Sequence, residues 1–439
     1  MKVLKFGGTS VGTPQRMKDV TNLIIKDKEQ KIVVLSAMSG TTNTLVEICD
    51  YLHKKNPRGA NNIINDLEAK YRAHIQELYQ SEEYLNKTSV FLDEEFNFLR
   101  SFTQLPFSTV EEKIVLAQGE IISTNMVTNY MKEIGIKVAL LPALDFMRTN
   151  DWGEPDSVFI KKGLNQQLEQ NKNCSIYITQ GFICKNYKDE VDNLQRGGSD
   201  YTASLIGAAL KAEEIQIWTD IDGMHNNDPR IVEKTEAVHQ LHFEEAAELA
   251  YFGAKILHPT CVLPAKFAGV PVRLLNTMDP EAEGTIINNT LERNKIKAVA
   301  AKDNITVIRI VSSRMLLATG FLRKVFEIFE TYHTSIDMVT TSEVGVSMSI
   351  DNATYLDEII GELKKLGTVD IDRDMCIICV VGDLNWSRGI GFESLISSAL
   401  KNVPVRMISY GGSYHNISFL VKAEDKKKAL QDLSNTLFN

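Results

Sequence analysis

Cysteine is scarce in this chain. Six residues spread over 439 cannot build the dense disulfide framework of a small secreted domain, and they fit a reducing compartment, so a cytoplasmic location is expected. No apolar run is long enough to cross a bilayer, and Met1-Lys2 leads straight into a strand pattern without the apolar core of a signal peptide. Long basic runs are missing too. A net charge of −9 argues against a nucleic-acid surface, because polyphosphate needs clustered Lys and Arg, and the expected ligands are small molecules. The G-x-x-x-x-G-K-[ST] loop is absent, so a P-loop fold is not implied. The single C-x-x-C spacing, Cys376 to Cys379, has no second Cys or His pair near it. It sits in Met375 to Val381, an apolar run that reads as a buried strand with residues three apart on opposite faces, and no metal site is expected there.

What the chain does have begins at its first residues. Val3, Leu4 and Phe6 are strand formers, Lys5 supplies a positive charge, and Gly7-Gly8 lets the backbone turn with N–H groups unobstructed by any Cβ. A helix through Gln15 to Ile25, with Pro14 in its first turn, would add its own donors and partial positive charge. This is the chemistry of a phosphate cradle, although a plain turn would show the same glycine pair.

The length predicts two or three domains, and the 44% hydrophobic content allows large cores. Strand patterns at Lys2–Phe6, Lys31–Leu35, Val138–Pro142, Ser175–Gln180, Glu214–Thr219 and Val270–Leu275 alternate with helical ones, which predicts an α/β sheet covered on both faces. Between Asn61 and Phe102, Ile64, Leu67, Tyr71, Ile75 and Leu78 recur at helical spacing and predict a packing hairpin of two helices. Beyond Gly284 a repeat appears. The strand Ile305–Val311 matches Cys376–Gly382, the helix Gly320–Tyr332 matches Gly391–Lys401, and three further elements correspond in the same order at a spacing of about seventy residues.

Four more clusters follow the opening loop. Ser36 to Asn43 offers small hydroxyls and a glycine at a strand's end, suited equally to an anion or to a helix cap. Gln118-Gly119-Glu120 lies in a helical pattern over Val110–Met131, where Glu120 could answer a substrate ammonium or simply face solvent. Gln195 to Asp200 precedes a small-residue helix, Tyr201–Leu210, and joins Arg196, a carboxylate fork, to the anion-binding turn of Gly197, Gly198 and Ser199. Thr219 to Arg230 crowds acids, amides and an arginine into one loop, which suits a nucleotide with its Mg²⁺, although its Asp-Gly and Asp-Pro pairs are ordinary turn dipeptides. Downstream, His258 before Pro259 reads as a packing or capping residue.

In their order, these segments resemble the aspartate kinases, and the resemblance covers nearly the whole chain. It implies an α/β amino acid kinase domain, an αβα sandwich over residues 1–290, followed by two ferredoxin-like ACT domains at 300–372 and 373–439. It implies transfer of the γ-phosphoryl group of ATP to the β-carboxylate of L-aspartate, the first step toward lysine, threonine and methionine, in an enzyme not fused to homoserine dehydrogenase. By this resemblance Lys5 neutralises the moving phosphoryl group, Gly7, Gly8 and Ser199 donate to phosphate oxygens, and Asp200 holds lysines or Mg²⁺ in register. Thr42, Glu120 and Arg196 carry over as aspartate contacts, beside Gly197 and Gly198. Thr219, Asp220, Arg230 and Lys255 match nucleotide positions, and His225 stands where the family often has tyrosine.

The resemblance also implies feedback control and a homodimer paired through the ACT domains. Met315, Phe321, Leu322, Asp337, Ser342 and Glu343 match positions that bind lysine in lysine-sensitive members, and Ala318 replaces a frequent serine. Lysine is the expected effector and threonine its competitor. Two other functions fit parts of the pattern: an amino acid kinase with another carboxylate acceptor, and a catalytically silent amino acid sensor.

Overall fold

The computed structural model describes the chain except residues 195–196, 254–257, 314, 316–318, 386, 388–390 and 439. Arg196, Lys255 and Ala318 therefore lie outside the described residues. The chain forms two compact units, Met1–Met224 with Ile256–Asn289, and His225–Lys255 with Thr290–Asn439.

The first unit runs β1 (Lys2–Phe6), α1 (Pro14–Ile25), β2 (Lys31–Leu35), α2 (Thr41–His53), α3 (Pro57–Leu78), α4 (Glu82–Ser101), α5 (Thr109–Glu133), β3 (Val138–Leu140), α6 (Ser157–Gln170), β4 (Ile176–Gln180), β5 (Ile183–Lys185), β6 (Val191–Asn193), α7 (Gly198–Leu210) and β7 (Ile215–Thr219), and after the second unit's insertion α9 (Leu263–Ala268), β9 (Val272–Asn276) and β10 (Thr285–Asn288). Its strands pair in the order β3-β4-β2-β1-β7-β9-β10, parallel up to β9, with β10 antiparallel. The central strand β2 is buried along its whole length, as a continuous apolar run in a parallel sheet requires.

Strand alternation divides the side chains of β1 between two layers. Leu4 and Phe6 join Val33 and Leu35 in one core with Met17 and Val20 of α1, Leu45 of α2 and Ile64, Leu67 and Tyr71 of α3. The hairpin α3–α4 is the expected packing layer. Lys5 points to the opposite face, where α7 packs against β1. Helix α1 starts where the Thr13 side chain accepts from the Arg16 N–H at 3.3 Å, with Pro14 as its first residue. Helix α5 starts in a capping box of Ser108 and Glu111.

The second unit contains β8 (Gln240–His242), α8 (Phe243–Tyr251), β11 (Ile296–Val311), α10 (Phe321–Thr331), β12 (Met338–Thr341), β13 (Gly345–Ile350), α11 (Leu356–Leu363), β14 (Thr368–Gly382), α12 (Phe392–Ala399), β15 (Met407–Ser409), β16 (Asn416–Lys422) and α13 (Lys426–Leu437). Residues 225–255 belong here, on the C-terminal side of the division expected at 290. Local bonds explain why. The Asn226 carbonyl accepts from the Val299 N–H at 2.8 Å, Asn227 Nδ2 donates to the Leu430 carbonyl at 3.1 Å, and Tyr251 Oη donates to Asp337 at 2.7 Å.

The repeat seen in the sequence is present as strand, helix, strand, strand, helix, twice. Its six strands form one sheet in the order β12-β13-β11-β14-β16-β15. The two copies interlock through β11 and β14. The later half of β11, Ile305 to Val311, pairs with β13 and with the first half of β14, while the earlier half of β11, Ile296 to Lys302, pairs with the end of β14. A register irregularity between Lys302 and Ile305 separates these halves, with Asn304 and Asp374 at positive φ of 60° and 55°, residue types that tolerate the left-handed region. Each copy keeps its own core: Ile308, Val325 and Ile359 lie in one, Ile378, Ile396 and Leu430 in the other. Cys376 and Cys379 are both fully buried in β14, as its apolar pattern predicts. No helix among the described residues is long and apolar enough to cross a membrane.

Candidate active site

The C-terminal ends of β1, β2 and β4 open onto a cleft of about 330 Å³ lined by Gly8, Ser36, Ala37, Thr42, Glu120 and Ser199, among others. In an open α/β sheet this is the end where ligands gather. Lys5, at the penultimate position of β1, places Nζ 2.7 Å from Asp200 Oδ1 in the first turn of α7, and both side chains are largely buried. The carboxylate holds the ammonium in place.

The glycines of the cradle have specific tasks. A Cβ on Gly8 would lie 2.8 Å from the Ala37 carbonyl oxygen, so the two loops approach this closely only with glycine there. The Gly8 carbonyl accepts from the Ser39 N–H at 3.1 Å, which ties the loop after β1 to the loop after β2. The Gly7 N–H is directed at the Trp218 carbonyl at 3.4 Å, a long bond. At the start of α7, Gly197 has φ 74° and Gly198 φ 46°, and a Cβ on Gly197 would overlap Cys261 Sγ at 1.9 Å. Ser199 is buried and its Oγ accepts from Ser36 Oγ at 2.9 Å.

Glu120 is only 4% exposed, so the solvated-face alternative does not hold. Its Oε1 accepts from the Ala37 N–H at 3.1 Å, and its Oε2 has no hydrogen-bond partner among the described residues. Burial pushes its carboxyl up to about 7, opposed by the bond from Ala37. A buried carboxylate oxygen with no partner costs free energy unless a ligand supplies one. Thr42 stands exposed in the first turn of α2, at the mouth of the cleft.

Sequence reasoning missed two features of this wall. One is the Ala37 amide that orients Glu120. The other is Phe182, a cleft residue held at φ 68° whose N–H donates to Thr202 Oγ1 at 3.0 Å. Its only sequence signal is the position directly after the strand end Gln180-Gly181.

The expected nucleotide residues divide between the units. Thr219 ends β7, its Oγ1 accepting from the Ile221 N–H at 3.1 Å, and Asp220 beside it is exposed. His225 and Arg230 belong to the second unit. His225 Nδ1 lies 3.0 Å from Thr235 Oγ1, and the exposed Arg230 makes a bidentate pair with Asp228 at 2.9 and 2.7 Å.

The six expected effector residues are spread over several elements of the first copy. Met315 packs against the first copy's core, Phe321 and Leu322 start α10, and Ser342 and Glu343 lie in the exposed turn between β12 and β13. Asp337 precedes β12 at its other end, five residues and roughly 16 Å from Ser342 at strand rise. Its Oδ1 accepts from Lys302 Nζ at 2.7 Å and from Tyr251 Oη at 2.7 Å. Lys302 also pairs with Asp351 at 2.9 Å and sits 4.3 Å from the Tyr251 ring centroid. Burial draws the Lys302 ammonium down, but its bonds to Asp337 and Asp351 outweigh that and leave it raised.

A model of the amino acid kinase family matches residues 1–276, and an ACT domain model matches residues 378–437. Lysine-sensitive aspartokinase 3 of Escherichia coli (strain K12) is 34% identical over 449 residues, covering 99% of each chain. The solved structure of E. coli aspartokinase III in complex with aspartate and ADP, in the R-state, is similar over 100% of both chains, with TM-score 0.85 and 32% identity. The T-state structure of that protein with lysine and aspartate matches over the same span, with TM-score 0.82 and 33% identity.

Proposed function

The chain belongs to the aspartokinase family, and we propose that the cleft of its N-terminal unit is where the γ-phosphoryl group of ATP passes to the β-carboxylate of L-aspartate. One carboxylate oxygen attacks Pγ, the bond from Pγ to the β–γ bridging oxygen breaks, and ADP leaves with that electron pair. The product is the acyl phosphate 4-phospho-L-aspartate. Because the acceptor is already ionised at neutral pH, no general base is required, and the rate comes from positioning and charge neutralisation.

The observation that carries this reading is an unanswered acid in the cleft wall, with a fixed cation on the strand whose following glycine loop lines that cleft. Lys5, held by Asp200, meets the charge that develops on the departing phosphoryl group. Glu120 offers its partnerless Oε2 to the aspartate ammonium. Gly8 and Ser199 serve phosphate oxygens from the adjoining loops, and Thr42 and Arg196 complete the aspartate contacts. Thr219 and Asp220, at the end of β7, serve the nucleotide. ATP enters as its Mg²⁺ complex, the ion neutralising phosphate charge. Asp200 acts here as the partner of Lys5.

The two copies in the C-terminal unit act as ACT-type regulatory modules, and lysine is the effector. Support comes from the lysine-sensitive relative and from the effector residues on the first copy. Their division between two ends of β12 favours a site completed by a second copy of the chain, hence a homodimer working in the cytoplasm.

A hydroxylamine trap tests the reaction. Purified protein with MgATP and aspartate should yield aspartyl hydroxamate. Hydroxamate from glutamate alone would identify another acceptor, and none from either would leave a sensor without catalysis. Separate titrations with lysine and threonine identify the effector.

A further inference from the structure

We propose that His242, Glu244 and His415 form a binding site for a divalent transition-metal ion of the zinc class, in the C-terminal unit. His242 ends β8 and caps α8, Glu244 lies in the first turn of α8, and His415 immediately precedes β16. Residues far apart in sequence are thus brought together. One ligand atom from each lies within 4.8 Å of the others. His415 Nε2 is 2.9 Å from Glu244 Oε2, and the two imidazoles stack with centroids 5.6 Å apart at 22°.

Two imidazoles and one carboxylate are a zinc ligand set that leaves a fourth position for water. Around a tetrahedral ion with bonds of about 2.0–2.2 Å, ligand atoms sit roughly 3.3 Å apart. The backbone itself is fixed: the His415 carbonyl accepts from the Gly382 N–H at 3.0 Å, and one turn further along α8 Glu248 bonds Asn416.

An ion pair between Glu244 and His415, joined to a helix cap at His242, would explain part of this arrangement. It leaves two buried atoms unexplained. His415 is 7% exposed and its Nδ1 has no hydrogen-bond partner among the described residues; the fully buried Glu245, adjacent to Glu244, has an Oε1 in the same condition. Buried polar atoms of both kinds beside a His-Glu-His triangle mark a site with more ligating capacity than the ion pair uses. The neighbouring cation Lys297 is already engaged by Glu292 and by the Gln240 carbonyl, the latter at 2.9 Å. A bound ion would fasten the start of α8 to the edge of β16.

The test uses untagged full-length protein, stripped with chelator and kept free of nucleotide, titrated with Co²⁺ by visible absorption and with Zn²⁺ by calorimetry. One ion per chain is expected, with four- or five-coordinate d–d bands and a rise in Tm on adding Zn²⁺. Glu244→Gln, at a half-exposed position that tolerates the change, should weaken binding at least tenfold and abolish the Tm rise, and His415→Asn should do the same. Substoichiometric binding, wild-type affinity in Glu244→Gln, or a thiolate-to-cobalt charge-transfer band that assigns the ion to cysteine would overturn the proposal.

Discussion

Both units bury an acidic side chain beside an expected ligand position, but they treat its charge differently. Glu120 has no cationic partner among the described residues, and its carboxyl is displaced upward by burial to about 7. Asp337 is as deeply buried and is already neutralised by Lys302, with Tyr251 adding a second bond. An acid without countercharge accepts an incoming ammonium with nothing to displace. Asp337 also has an oxygen, Oδ2, without a hydrogen-bond partner among the described residues, but Lys302 already offsets its charge, so the same ligand charge is bound less tightly. If Glu120 receives the substrate and Asp337 the effector, as proposed, the two events acquire different strengths from similar chemical groups.

The largest effect tests whether the cleft works through charge. Lys5→Ala should lower kcat by roughly 10²–10³ while the KM for aspartate changes little, because the ammonium matters most as the phosphoryl group departs. Near-normal turnover in steady-state assays would remove Lys5 from the mechanism.

Glu120→Gln comes next. It should cut kcat/KM for aspartate by about 100-fold through loss of a charge-assisted bond to the ammonium. The wild-type profile of kcat/KM should rise with pH up to about 7 and then level off, as Glu120 ionises. Stability carries the opposite sign. The folded-state value lies above the ordinary 4.5, so the folded protein retains the proton longer than the unfolded chain, and stability declines as pH rises from about 4.5 to 7. Thermal melts should therefore show Glu120→Gln more stable than wild type at pH 8, with the gap closing at pH 4. A variant that binds poorly yet gains no stability at pH 8 would contradict the account of an uncompensated acid.

On the regulatory side, Lys302→Met should lower the half-inhibitory lysine concentration about fivefold by releasing Asp337 from its internal partner, whereas Asp337→Asn should raise it at least tenfold. Equal inhibition curves for wild type and Lys302→Met would break the contrast between the units. The smallest change is expected for Asp351→Asn. Asp351 is Lys302's half-exposed second partner, so urea melts should show a loss of under about 1 kcal/mol.

Much of the fold was legible in the sequence. The strands of the N-terminal sheet are short apolar runs bounded by glycine, and the α3 stripe of Ile64, Leu67, Tyr71, Ile75 and Leu78 is buried as its spacing predicts. The C-terminal repeat was visible because five elements recur in one order. Less legible were features created by tertiary contact. Nothing local marks residues 225–255 as part of the C-terminal unit, since what assigns them there is hydrogen bonding to Val299, Asp337 and Leu430. Nor does the sequence place Lys302 against Asp337, because that pairing depends on strand order. At the candidate site, the Lys5 and Asp200 motifs were readable as glycine-bounded turns. The burial of Glu120 was not, as α5 is mixed in composition and its polar residues gave no sign of which ones face inward.

The strands β11 and β14 each run through both regulatory copies, and Ile296 to Lys302, which precede the first copy, pair with the end of the second. The duplicates are therefore spliced, not strung in series. A fragment cut at residue 373 to isolate the last module would lose a border strand and expose the backbone of Met375 to Gly382, an aggregation-prone edge. Excision at either seam is expected to fail, and the pair should persist or be lost as a single heritable part.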